Sequence, residues 1–155
     1  MYRTLAFLAI LSAAMLVGLM TTLLTVMRGL WNQQPELDAA RNFQDFLQHA
    51  GTNRVLSTLT IIPVISGVWM AFLHAPDTTA KVCAVTGGGV FLLGFFIWTA
   101  IFNLPIYKAV ARWNLTEATP ADVRTQIRRF HTSNIGRLTA ALVTAVLFFV
   151  ATFNV

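Results

Sequence analysis

Four long apolar stretches constrain this chain more than anything else in it: residues 5–27, 55–73, 82–102 and 135–153. Each is long enough to cross about 30 Å of hydrocarbon, which takes about 20 helical residues. A backbone in lipid must satisfy its own amides and carbonyls, so each stretch is expected to be a helix. Composition agrees. Of 155 residues, 56% are hydrophobic and only 11% are charged, against about 25% charged in soluble domains. A soluble domain of this size has too much surface to hide so much apolar side chain. The expectation is a single all-α domain over residues 1–155, an antiparallel four-helix transmembrane bundle.

The first stretch begins just after Arg3 and could be taken for a signal sequence. Its 23 residues (5–27) exceed the roughly 7–15 of a signal core, and Arg28-Gly29-Leu30-Trp31 follows where small residues would mark cleavage. It is read as a retained span. Pro63 lies inside the second stretch and is expected to bend it. The lone Cys83 allows no intramolecular disulfide.

Small residues recur every fourth position in each stretch: Ala14, Gly18 and Thr22; Pro63, Gly67 and Ala71; Ala80, Ala84 and Gly88; Gly136, Ala140 and Thr144. Such stripes let helix backbones approach closely in lipid, although small residues are common in membrane helices in any case.

Charge gives an orientation. Arg28, Arg41, Arg54, Lys108, Arg112, Arg124, Arg128, Arg129 and Arg137 fall in segments 28–54 and 103–137; only Arg3 and Lys81 fall elsewhere. The positive-inside rule puts those two segments in the cytoplasm and both termini outside, in what is expected to be a bacterial inner membrane. The basic balance flanks apolar runs, so the expected partner is the lipid bilayer, not nucleic acid.

The two cytoplasmic segments have structure of their own. In the first, Pro35 suits a first helical position with Glu36 and Asp38 behind it. Leu37, Ala40, Phe43, Leu47 and Ala50 then recur at helical spacing up to Gly51. This predicts an amphipathic helix lying on the membrane. The second reads as a helical hairpin. Leu104-Pro105 disfavours helix at that point, with a kink as the alternative to a break, a short helix 105–113 follows, and Thr119-Pro120 with Asp122 resembles a helix start. That last helix is expected to run on into the fourth span.

Polar groups from all four spans then come to one level. Arg137 lies three residues into the last apolar run, where a charge is costly and often functional; snorkelling to the interface is the bland alternative. Asn134 and His131 precede it by successive turns, and Arg28, Asn53, Arg54 and Asn103 sit at the ends of the other spans. A cation-rich pocket at the cytoplasmic mouth is the sharper reading, helix-end decoration the plainer one. His49 follows Asp45 by four residues, so the two can pair on one helix face. His74 stands alone on the outer turn. No histidine–carboxylate spacing typical of metal sites occurs, and no Asp or Glu lies within an apolar run.

GLMTTLLTVMRGL, FQDFLQHAGTNRVL, FNLPIYKAVARWN and HTSNIGRLTAALV together resemble the anthrone-oxygenase-like family of small four-span membrane proteins, many of unknown function. The asparagine-x-proline and the N-x-x-R beside the last span are the most specific parts. The family commonly has a second Asn two residues after the proline and a Trp before N-x-x-R, where this chain has Tyr107 and Phe130 nearby. The resemblance implies O₂-dependent oxidation of an anthrone to an anthraquinone without a cofactor. Such chemistry needs an apolar slot, a base and donors for an oxyanion. Trp98, Phe102, Trp113 and Phe130 are candidates for the slot. Arg137, Asn134 and Asn103, with Arg28 and Asn53 at the same level, are candidates for donors, and His131 or His49 for the base.

Two other classes compete: a non-catalytic membrane subunit or small-molecule binding protein, alone, as a homo-oligomer or in a larger membrane complex; and, last, a haem or metal electron carrier.

Overall fold

The computed structural model describes residues 1–73, 77–116 and 118–153. His74 and most of the outer turn lie outside the described residues. Among the described residues the fold is made of five helices: α1 Tyr2–Gln33, α2 Glu36–Thr52, α3 Arg54–Phe72, α4 Thr78–Val110 and α5 Val123–Phe153. Four of them, all but α2, are long and apolar enough to cross a membrane.

Packing fixes the antiparallel order. Tyr2, Ala6 and Ala9 at the start of α1 cluster with Met70 late in α3, Ala80 and Ala84 early in α4, and Phe148 and Ala151 late in α5. At the other end Trp31, Phe43, Phe95, Val110 and Phe130 share a second core. The nine cations of segments 28–54 and 103–137 gather at this second end.

The bundle is apolar outside as well as inside. Between 22% and 33% of each crossing window is buried, while Phe7, Trp69, Phe72 and Phe149 stand outward, Phe72 at 86% exposure. Water would not tolerate that surface; hydrocarbon does. This is an integral membrane protein.

Three of the four small-residue stripes pack as close contacts. A Cβ on Gly67 would lie 2.8 Å from the Gly88 Cα, so α3 and α4 touch backbone to backbone. A Cβ on Gly136 would lie 2.8 Å from the Trp98 indole, whose Nε1 donates to the Ser133 carbonyl of α5 at 2.9 Å. Thr144 donates to the Gly87 carbonyl at 3.2 Å. The first stripe is different: Ala14, Gly18 and Thr22 are exposed. Helix α1 packs instead on Ala6, Ala9, Ser12, Ala13 and Leu16, a face whose small side chains likewise let the backbone approach its neighbours.

Helix α2 does more than lie on the membrane. Phe43 is fully buried, with its ring 5.0 Å from Trp31 and 5.4 Å from Phe130. The helix caps the bundle end because aromatic side chains there offer it a better apolar partner than headgroups do. It starts after Pro35 and runs through Gly51, ending at Asn53, whose Oδ1 accepts from the Leu56 amide at 3.1 Å and caps α3.

Two local expectations are corrected. The chain does not break at Leu104-Pro105. Three wide turns of π type, Leu23–Met27 in α1 and Leu92–Ile97 and Thr99–Asn103 in α4, shift the backbone register. The Leu104 amide reaches back five residues to the Thr99 carbonyl, and the proline's missing N–H is absorbed by that shift. Helix α5 begins at Val123 rather than Pro120. Asp122 turns to other partners: its carboxylate accepts from Trp113 Nε1 at 3.1 Å and from Gln126 Nε2 at 2.8 Å. The hairpin is tied to α2 as well, since Gln44 Nε2 donates to the Val110 carbonyl at 2.9 Å.

At the far end, Asp77 caps α4. Hydrogen bonding from Thr79 holds its exposed carboxyl below the usual range.

Candidate functional site

A connected polar cluster sits where α4 and α5 meet below the basic end. Asn103 and Asn134 are both fully buried. Asn134 Oδ1 accepts from Arg137 Nη1 at 2.9 Å and, more weakly, from Asn103 Nδ2 at 3.4 Å. Its own Nδ2 donates to the Phe130 carbonyl at 2.9 Å, and Ser133 Oγ donates to Asn103 Oδ1. The guanidinium carbon of Arg137 stands 4.2 Å above the Phe95 ring, a cation–π geometry. Its Nε is sealed off without a partner, while the Tyr107 hydroxyl faces the group from α4. Arg137 therefore points into the bundle rather than toward headgroups.

Beside this cluster lies a cavity of about 510 Å³. Leu16, Met20, Phe46, Phe95, Phe96 and Phe130 give it apolar walls, and Arg137 and Tyr107 also line it. No other ionisable side chain does so among the described residues. Gly51 of α2, Ser57 of α3, and Ala100 and Leu104 of α4 form its exposed rim. The π turns matter here: Leu23, Phe95, Phe96, Thr99 and Ala100 lie in them and line the cavity. A wide turn rotates the following side chains relative to a regular helix, and such turns are frequent at functional sites.

Of the residues picked out from sequence, Arg137 and Phe130 line the cavity; Asn134 holds Arg137, and Asn103 donates to Asn134. The others are placed elsewhere. Trp98 and Phe102 lie together, ring centroids 4.3 Å apart and the planes tilted by 42°, and line a different cleft with Arg128 and Arg129. Trp113 packs on Phe43 at 6.2 Å and bonds Asp122. Asn53 is occupied as the α3 cap. His131 is buried 5.5 Å from Trp31, with neither ring nitrogen hydrogen-bonded, and with Arg28 it lines a basic cleft on the other side of Phe130. His49 is exposed, and its Nδ1 meets the Asp45 backbone carbonyl at 2.7 Å rather than the carboxylate. Among the described residues no group of three or more His, Cys, Asp or Glu could hold a metal.

Tyr107 was missed as a site residue. Thr99, Asn103 and Tyr107 recur every fourth position, a stripe visible in the sequence once the helix is known to continue past Pro105.

The fold is thus a four-span membrane bundle enclosing an apolar cavity, with a half-buried arginine on its wall that Asn134 holds and Asn103 backs through Asn134. The family model described as anthrone oxygenase matches residues 43–147, so the chain belongs to the anthrone oxygenase family. Comparison with curated proteins gives no significant match, and comparison with solved structures gives none.

Proposed function

We propose that the cavity binds a planar, weakly acidic aromatic molecule, an anthrone, and that the protein oxidises it with O₂ to the anthraquinone and water. The observation behind this reading is the pairing of Arg137 and Tyr107 on one wall of an otherwise apolar cavity, in a chain of this family. An anthrone is flat and apolar with one carbonyl. Guanidinium and phenol N–H and O–H groups placed at that oxygen favour the enolate, because they stabilise charge where it develops. Loss of the benzylic proton gives a delocalised carbanion. Electron transfer to O₂ and recombination form a C–O bond, giving a peroxide. Loss of the second benzylic hydrogen with O–O cleavage releases water and leaves the quinone.

His131 and His49 line neighbouring clefts, so the reading gives the first proton to water reaching the cavity at its Gly51 end, beside α2 and outside the crossing helices. The rest of the rim lies on two crossing helices, which suits a substrate arriving from the bilayer. The basic end is assigned to the cytoplasm and both termini to the outside of a bacterial inner membrane, on the nine-to-two division of Lys and Arg.

The test supplies emodin anthrone to membranes with and without the protein, following quinone formation and O₂ uptake. One O₂ consumed per quinone formed, with large losses in Arg137→Gln and Tyr107→Phe, is expected. Equal rates with and without protein would remove the enzyme; anthrone binding without turnover would leave a small-molecule binding protein or subunit.

A further inference from the structure

We propose that a second cleft, separate from the aromatic cavity, binds a phosphate-bearing anion at the membrane boundary. The cleft has a volume of about 410 Å³, and its lining includes Arg28, Arg124, Arg128, His131 and Asn32. Three arginines from two helices converge there, and no acidic side chain lines it among the described residues.

The three arginines are not equivalent. Arg124 is pinned: its guanidinium donates to the Trp31 carbonyl and to the Gln34 carbonyl, the latter at 2.7 Å. It joins the end of α1 to the start of α5 and holds the cleft in shape. Arg28 and Arg128 are exposed and have no hydrogen-bond or ion-pair partner among the described residues. His131 closes the back, 4% exposed, with both ring nitrogens unpartnered. Like charges brought together without a counter-ion repel, so the arrangement is completed by an anion. Paired guanidinium groups suit phosphate oxygens in particular, since each presents a planar fork of donors.

The other wall narrows the ligand. Ile127 and Ile135 also line the cleft, and Ile135 is 53% exposed at the start of the last apolar run. An anion there sits where polar and apolar surface meet. A phospholipid headgroup with its acyl chains along Ile135 offers that chemistry, and free phosphate offers the charged part of it.

Two probes distinguish the sources. The protein is placed in phosphatidylcholine nanodiscs with or without a minor fraction of phosphatidylglycerol, and retained lipid is counted by native mass spectrometry. Inorganic phosphate is titrated separately onto the protein in phosphatidylcholine alone, with the imidazole nitrogen resonances of His131 as the readout. One retained phosphatidylglycerol is expected, weakened about tenfold or more in Arg28→Gln/Arg128→Gln. Arg41→Gln/Arg54→Gln removes equal charge outside the cleft and is expected to retain it. Phosphate shifting the His131 resonances in the wild type but not in the first double variant supports the site with free phosphate as its source. All four substituted arginines are exposed, so both double variants should fold, which circular dichroism checks. Equal loss in the two double variants, or no response to either probe, overturns the proposal.

Discussion

Arg137 and Asn134 share one face of α5, a turn apart, and the Asn134 amide oxygen accepts from the guanidinium at 2.9 Å. The same oxygen faces Asn103 across the helix interface. One side-chain amide thus aims the cation and ties α4 to α5.

Asn134→Ala should therefore act on both. It strands donors of Arg137 and Asn103 in a buried site, at a cost of about 1–3 kcal/mol. Thermal unfolding in detergent should show the loss. Arg137→Lys keeps the charge but not the fork of donors and should recover only part of any anthrone binding. Full recovery would mean that charge alone matters.

Gly67→Ala should destabilise by about 1–3 kcal/mol, since its Cβ meets the Gly88 backbone with nowhere to go. Gly18→Ala should leave stability unchanged, because nothing lies within 4 Å of a Cβ there. Both glycines belong to every-fourth-residue stripes, so equal effects from the two would contradict the packing described.

Trp113→Phe should loosen the hairpin. It deletes the bond to Asp122 and leaves one carboxylate oxygen a donor short, worth about 0.5–1.5 kcal/mol. Amide hydrogen exchange in segment 111–122 should rise, while exchange at Gly67 and Gly88 stays as it was.

In a Cys83→Ala background, Thr79→Cys should label with a membrane-impermeant maleimide from outside intact cells. Ala118→Cys should label only after the membrane is opened. Reversed labelling would invert the orientation proposed from the charge division.

His131→Ala and His49→Ala test where the proton goes. If water at the rim takes it, neither substitution should lower the turnover of bound anthrone by as much as Tyr107→Phe does. A larger loss in His131→Ala would make that histidine the base and would call for Phe130 to move aside.

The spans and their antiparallel order were legible because lipid leaves an apolar run of that length one way to satisfy its backbone. So was the Asn134–Arg137 contact, which helical spacing alone brings together. The cavity was not legible. Tyr107 lies beyond Pro105, where sequence rules disfavour helix, so the Thr99–Asn103–Tyr107 stripe shows only once the helix is seen to continue. Phe46 reaches the cavity because α2 folds under the bundle, and an amphipathic pattern cannot tell a membrane surface from a protein end. Trp98 and Phe102 looked like walls by proximity to Asn103, but they leave the helix on another side.

The contact between Gly67 and Gly88 carries a mechanical consequence. The same two helices form the cavity rim at Ser57 and Ala100, and Ser57 lies ten residues before Gly67, about 15 Å along the axis. With backbones in contact at the glycines, and Met70 packed beside them on Ala80 and Ala84, α3 and α4 meet at a tight joint with a long arm to the rim. A tilt of about 10° at the glycines displaces the rim by about 2.6 Å over that arm, a good part of the thickness of an aromatic ring.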